Sequence, residues 1–483
     1  MKNLILVVGL LFILAGNLQF AAAQNRVKLF ELKETPSVKA KKNSLASVRE
    51  SEIDINFANI NQNSTLEIPL FNGKSYEAKH FLTETRATND RTWRGKITQG
   101  KFEGDVILTY KNGFVSGLIY APDAVYEIVA QGGKQILVEL DQANFPECGG
   151  DIKGETSKPT EQDVLAMIDS GDRIDVLVLY TTPVKTTLGG DAQAQVFAQQ
   201  AIDSTNTAYI NSKIRQRIRL IAALETTVAE TGSLSTELST IRNDAAIATL
   251  RNQYNADLVA MISNSSDNCG IGYLMGSANP LNGFTVTSRT CAVGNLSFAH
   301  ELGHNMGSQH NPENGSGASF PFGYGHYVNG VYRTVMSYVD QCANGCVRRP
   351  YFSNPEVIFN GFPTGIDNAR DNARSINNTA DTIANYRYSG TNLMLNNYNG
   401  GEILPRNIAR DLLWSSDNLT GNVRIEISRD ESTTWQTVIA NTSNDGTEKI
   451  AVQGRPTRRA RVRIVSVNAP TVTDSSVRNV IIR

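Results

Sequence analysis

Histidine is almost absent from this chain, with five among 483 residues, and cysteine is equally scarce at five. Neither sign of charge prevails. With 46 lysines and arginines against 47 aspartates and glutamates, the chain lacks the basic surplus that a nucleic-acid or polyanion partner calls for. Beyond the N-terminus no apolar run approaches the about 20 residues needed to span a bilayer, so no membrane segment is expected in the mature protein. What remains is globular composition, 40% hydrophobic and 19% charged, with room for about three domains.

The N-terminus carries Lys2, then the apolar run "LILVVGLLFILAG" from Leu4, then "AAA" at 21–23. This is the pattern of a secretory signal over 1–23, with the mature chain starting near Gln24 and an extracellular destination. The cysteines then meet an oxidising medium in which bridges persist.

From 24 to 150 short apolar runs alternate with turn residues, among them Asn112-Gly113 and Gly132-Gly133, which predicts successive β-hairpins in a small all-β domain. Lys39, Lys41 and Lys42 read as solvated surface. Residues 151–172, polar and containing Pro159, read as an exposed activation linker. From Arg173 the pattern changes. "IDVLVLY", "IRLIAALETT" and "ADLVAMIS" read as strands, separated by "AQAQVFAQQAIDSTNTAYINS" and "STELSTIRNDAAIATLRNQY", each read as one helix. The expected fold class is therefore α/β: over 173–388 a mixed, mostly parallel sheet with long helices, flanked by the β-rich N-terminal domain and a C-terminal β-sandwich over 391–483. In that last region Val423, Ile425 and Ile427 share one strand face, and Ala460, Val462, Ile464 and Ser466 another. Arginines 455, 458, 459, 461 and 463 read mainly as the wet face of a strand; as a cluster they would suit a surface or an anionic polymer.

Three of the five histidines fall within "HELGHNMGSQH", residues 300–310. On a helix, residues four apart return to one face about 6 Å further along, so His300 and His304 can hold one metal ion. Glu301 lies beside that face, placed to take a proton from water without ligating. Gly307 lets the backbone leave the helix, bringing His310 round as a third ligand. Three imidazoles with a fourth position left for water are the donor set of catalytic zinc, and the reaction they suit best is peptide hydrolysis. His80 and His326 are isolated and stay unassigned. A calcium requirement is not legible.

HExxHxxGxxH is the signature of the metzincin metallopeptidases, and this chain resembles them. "RTVMSY" at 333–338 resembles the Met-turn, with Met336 as an apolar floor beneath the histidines. "CGIGYL" from Cys269, "SFAHELGHNMGSQH" and "YFSNPEVIFNGFPTG" are similar to bacterial reprolysin-like, adamalysin-related members. Asn311 stands where venom-type members have aspartate. The resemblance covers roughly 173–388 and implies a zinc endopeptidase acting on polypeptides, an edge strand that aligns the substrate, and a subdomain hung on a last helix. That helix shows its own stripe in Ala369, Ala373, Ile376, Ala380 and Ile383. Tyr338, two residues after Met336, matches a tyrosine that joins the zinc in related groups; packing and a ligand or transition-state role stay open.

Cys269, Cys291, Cys342 and Cys346 can pair in three ways, and proximity favours 269 with 291 and 342 with 346. Cys148 is left over in "FPECGGD", which resembles the cysteine switch of matrixin propeptides. Its sulfur would take the fourth zinc position, making residues 24–150 an inhibitory propeptide. The alternative to a latent endopeptidase is a secreted binding or adhesion protein on a dead peptidase fold. Glu301 separates the two, because an inactive relative is expected to lose its base.

Overall fold

The computed structural model describes residues 26–33, 46–56, 60, 65–87, 89–154, 173–342, 346–387, 392–398, 402–417, 419–476 and 479–483. The signal over 1–23, the lysines at 39, 41 and 42, and Pro159 lie outside them. No helix among the described residues is long and apolar enough to cross a membrane.

Strand dominates. Among the described residues 42% are strand and 20% helix, with seven helices, which overturns the α/β expectation of a mixed sheet with long helices. The largest element is a ten-stranded sheet, antiparallel except where Arg26–Lys28 runs parallel to Thr65–Pro69. The N-terminal segment nearly closes this sheet into a barrel. Its first half pairs with Thr65–Pro69, its second half, Phe30–Leu32, pairs with Ser47–Ile55, and Leu29 bonds to both sides. The four central strands, Asp90–Gln99, Phe102–Lys111, Phe114–Tyr120 and Val125–Gln131, are buried on both faces, which hides the usual inside-outside alternation of an antiparallel sheet. In Phe114–Tyr120, Val115 and Ile119 enter the barrel core, while Leu118 and Tyr120 face outward into the neighbouring core.

That outer face is covered by the helix Asp191–Asn211, the one long helix, almost wholly buried along its length. At the contact Asp203 accepts from Thr109 Oγ1 (2.6 Å), Arg86 Nη1 and Gln199 Nε2 (3.2 Å each), and also from Thr92 Oγ1. The Arg94 guanidinium stands 3.8 Å from the same carboxylate.

The second large sheet orders its strands as Asp151–Lys153, Gly270–Leu274, Phe284–Ser288, Leu258–Ser263, Arg173–Thr181 and Arg217–Thr226. Neighbours run parallel except Gly270–Leu274 with Phe284–Ser288. Residues 151–153, expected as free linker, thus form an edge strand. The second helix of the sequence reading is two, Leu234–Asn243 and Ala245–Gln253. Asp244 between them is extended, and its carboxylate takes the N–H groups of Ala246 and Ile247 at 2.8 and 3.0 Å; an N-cap there stops one helix and starts the next. The last helix of this region is Asn372–Ala384, burying Ala373, Ile376, Ala380 and Ile383; Ala369 precedes it and is exposed.

Residues 392–483 place a three-stranded sheet against a larger one around a shared core that includes Leu412, Trp414, Ile425, Val462 and Ile464. Arg463 is committed to Glu426, Arg461 to Asn479 and the exposed Arg459 to Glu431 at 3.1 Å, whereas Arg455 and Arg458 are exposed. Asp474 joins this region to the preceding sheet, accepting from Arg173 Nη2 at 2.7 Å and from the N–H of Leu395 at 3.0 Å.

Candidate metal centre and active site

The site is built on the helix Ser297–Asn305, buried along its whole length. It is held to the Gly270–Leu274 strand and the turn beyond it by Asn305, whose amide donates to the carbonyls of Tyr273 (2.8 Å) and Asn282 (3.0 Å), and by Met275 N–H on His304 O (3.0 Å). Cys269 and Cys291 bridge the start of that strand to the chain ahead of the helix, and Cys342 pairs with Cys346.

His300 and His304 project from one face, as their spacing requires. Gly307 has φ +77°, a conformation a side chain resists, and a Cβ there would also meet Ser319 Oγ at 2.8 Å. The chain turns at this point and returns His310. Nε2 of His310 lies 3.0 Å from that of His304 and 3.1 Å from that of His300. The other ring nitrogens of His300 and His304 meet the carbonyls of Val335 and Ser308, each at 2.9 Å. These bonds turn both Nε2 lone pairs toward one point. Cys148 completes the group: its sulfur and the three nitrogens all lie within 4.8 Å of one another. Of the remaining histidines, His80 lies in the barrel beside Thr83 and His326 takes the Thr334 hydroxyl at its own N–H, both away from the cluster.

The donor set fits a metal ion. Tetrahedral nitrogens around zinc stand about 3.3 Å apart, close to the spacings here. Burial, then the neighbouring imidazole, holds His300 and His310 well below the usual histidine range, so both are neutral donors. Burial, then Glu301, pushes the Cys148 thiol well above its usual value. The lone pairs of three imidazoles and one sulfur thus converge on one point.

Glu301 is fully buried, and neither carboxylate oxygen has a hydrogen-bond partner. Burial pushes it up to about 8, partly offset by the Cys148 thiol and the Arg348 charge. Such a carboxyl is suited to exchanging a proton near neutral pH. The space it occupies is made by glycines that sequence reading passed over: a Cβ on Gly270 would stand 2.5 Å from Glu301 Oε1, and one on Gly272 would stand 3.0 Å from its carbonyl oxygen. Gly303 does the same for Met336, whose sulfur would be 2.6 Å from an added Cβ. The signal was available as glycine two apart in "CGIGYL" and glycine inside a helical motif, each unfavourable unless something must come close.

The Tyr338 ring lies against His310, tilted by 42° with centroids 4.3 Å apart, and its hydroxyl donates to the Cys148 carbonyl at 3.2 Å. Its N–H donates to Asn311 Oδ1 at 3.0 Å, so the asparagine after the third histidine anchors the turn that carries Met336. Residues 147–154 run along the open side of the Gly270–Leu274 strand. Cys269 N–H meets Glu147 O (3.0 Å), Gly149 N–H meets Gly270 O (2.8 Å), and Asp151–Lys153 continue in parallel register.

Comparison with known proteins agrees with this geometry. Residues 170–350 match the metallo-peptidase family M12, and residues 25–144 match the BamI lipocalin-like domain. A peptidyl-Asp metalloendopeptidase of Stenotrophomonas maltophilia strain K279a is 30% identical over 406 residues, spanning 76% of this chain and 91% of that relative. The protein of that name from strain R551-3 is 29% identical with the same coverage, and that of Xanthomonas campestris pv. campestris is 32% identical over 58% of this chain and 69% of its own length. With the signature placed on a buried helix and relatives aligned over nearly their whole length, the chain belongs to the bacterial reprolysin-like metallopeptidases of family M12 and is a metalloendopeptidase.

Proposed function

We propose that this chain is a secreted zinc endopeptidase made as a latent precursor, cutting extracellular polypeptides at bonds beside acidic residues. Its support is the convergence of three imidazole nitrogens and one thiol on a single point, with an uncommitted carboxyl beside it. The acidic preference is drawn from the peptidyl-Asp activity in the relatives' names. His300, His304 and His310 would hold the ion, which when bound supplies Lewis acidity toward a peptide carbonyl. Glu301 takes the proton of the attacking water and returns it to the leaving amine. Met336, against Gly303, keeps the histidine-bearing turn apolar and dry. Tyr338 is within reach of a developing oxyanion once its hydroxyl leaves the Cys148 carbonyl.

Latency follows from two obstructions in one segment. Cys148 fills the fourth donor position, and residues 149–153 take the backbone groups with which an extended substrate would pair. Cleavage in the expected stretch of about 150 to 173 removes both when it falls after Lys153. The C-terminal sheets, with Arg455, Arg458 and Arg459 exposed, suit attachment to an anionic surface or polymer. The retained, buried Glu301 weighs against the reading as an inactive adhesion protein. The test is metal analysis of the purified full chain together with Cys148→Ala. One zinc per chain, and peptide hydrolysis by the uncleaved variant that chelator abolishes, are expected. A variant as silent as the uncleaved parent would show that the pairing of residues 149–153 suffices for latency and that the thiol adds nothing to it.

A further inference from the structure

Beside the histidine cluster two guanidinium groups are buried with no carboxylate in ion-pair range among the described residues. Arg333 is 1% exposed and Arg348 2%. Arg348 donates through Nη1 to the Asn295 carbonyl (2.9 Å) and through Nη2 to that of Ser337 (3.1 Å). Arg333 donates through Nη1 to the same Ser337 carbonyl (2.8 Å) and through Nη2 to Asn295 Oδ1 (3.3 Å). Both therefore meet directly beneath the link between Met336 and Tyr338, just ahead of the site helix. Backbone carbonyls satisfy their N–H groups but cannot neutralise two like charges. One donor, Arg348 Nε, is buried with no partner at all. Arg94, equally buried, is by contrast met by Glu84 at 3.2 Å.

The acid that faces this pair is supplied by the segment that lies across the site. Glu147 precedes Cys148, and its Oε1 accepts the Val339 N–H at 3.2 Å, so its side chain is turned toward the Met336–Val339 link. Burial and mutual repulsion push the charge of Arg333 down and burial that of Arg348, and Glu147 opposes the change in both. The placement resembles that of a substrate: backbone paired to the edge strand at Cys269, acidic side chain reaching in, and the next residue at the metal position.

We infer that Arg333 and Arg348 form the acid-reading subsite of this endopeptidase, and that Glu147 occupies it in the precursor as a stand-in for the substrate's acidic side chain. The inference rests on the endopeptidase reading above. Once the segment leaves, two positive charges border the reacting bond without a counter-charge. An aspartate or glutamate side chain restores neutrality; an asparagine of equal size does not, and leaves the buried guanidinium groups unpaired. The relatives' names are then explained by charge balance rather than by pocket shape.

The experiment uses the full chain activated by limited proteolysis, with peptides identical except for one residue, Asp, Glu, Asn or Leu, and the cut bond located by mass spectrometry. The parent enzyme is expected to cut beside Asp and Glu at least tenfold faster than beside Asn, in kcat/KM. Arg348→Met and Arg333→Met should bring the Asp-to-Asn ratio toward one, chiefly through KM, and Arg348→Lys should restore part of it. Unchanged ratios in both methionine variants, or a parent enzyme indifferent to Asp and Asn, would overturn the subsite. A parent enzyme that cuts none of the peptides would overturn the endopeptidase reading as well. A second measurement needs no altered protein: a peptide spanning residues 144–151, with Cys148→Ser to remove the thiol, should inhibit the activated enzyme at least tenfold better than its Glu147→Gln counterpart. Equal inhibition would also overturn the proposal.

Discussion

Two buried carboxylates divide this molecule by purpose. Asp203, between the barrel and the long helix, accepts from two threonines, an arginine and a glutamine, with a second arginine beside it. Glu301, in the site, accepts from nothing. Both are almost wholly inaccessible. The first pattern is what burial of a charge requires if it is to hold two modules together. The second leaves a desolvated group unsatisfied, as suits a carboxyl whose partner is a reacting molecule. Satisfaction, rather than burial, separates the joint from the active centre.

The comparison can be broken at either end. Glu301→Gln should lower kcat of the activated enzyme by about 10²–10⁴-fold while leaving metal content and thermal midpoint intact; a variant that loses metal or unfolds would make Glu301 a structural residue like Asp203. Asp203→Ala should do the reverse, reducing precursor stability by about 3 kcal/mol in urea titration, since Arg86 and Arg94 lose their buried counter-charge. An unchanged midpoint there would show the network to be ornamental. Gly303→Ala tests the packing beneath the histidines. Forcing Met336 from the site helix should cost about 1–3 kcal/mol and weaken metal retention, read by chelator competition.

The smallest expected effect concerns a third buried acid, Glu127 on the barrel. It packs so closely that a Cβ on Gly294 would stand 2.7 Å from its carboxylate. Burial raises it to about 8 from 4.5, with Arg289 only partly opposing. The folded chain thus holds a proton that the unfolded chain has released between pH 4.5 and 8. Precursor stability contributed by this group is full below pH 4.5 and declines as pH rises toward 8. Glu127→Gln should flatten that slope in melting curves across the window; an identical slope would remove Glu127 as its source.

The chemistry was legible because it is local: His300, His304 and His310 owe their meeting to helical spacing and one glycine. The cysteine pairs followed from proximity. What failed was long-range. The central barrel strands are covered on both faces, so their weight in the fold is hidden from periodicity, and the α/β expectation gave way to a chain with twice as much strand as helix. Asp151–Lys153 read as linker because a strand formed by pairing to a waiting edge needs no apolar pattern of its own. Asp244 looked like one more polar helical residue, although its capping bonds divide the helix. Arg333 and Arg348 carried no sequence signal, since arginines read as surface until a fold buries them.

The contact between Arg173 and Asp474 bears on what happens after trimming. A cut before 173 would create a fresh chain end upstream of Arg173–Thr181, the strand second from one edge of the catalytic sheet. Arg173, which opens that strand, is gripped by Asp474 of the far C-terminal region, so the strand is guarded against fraying at its first residue.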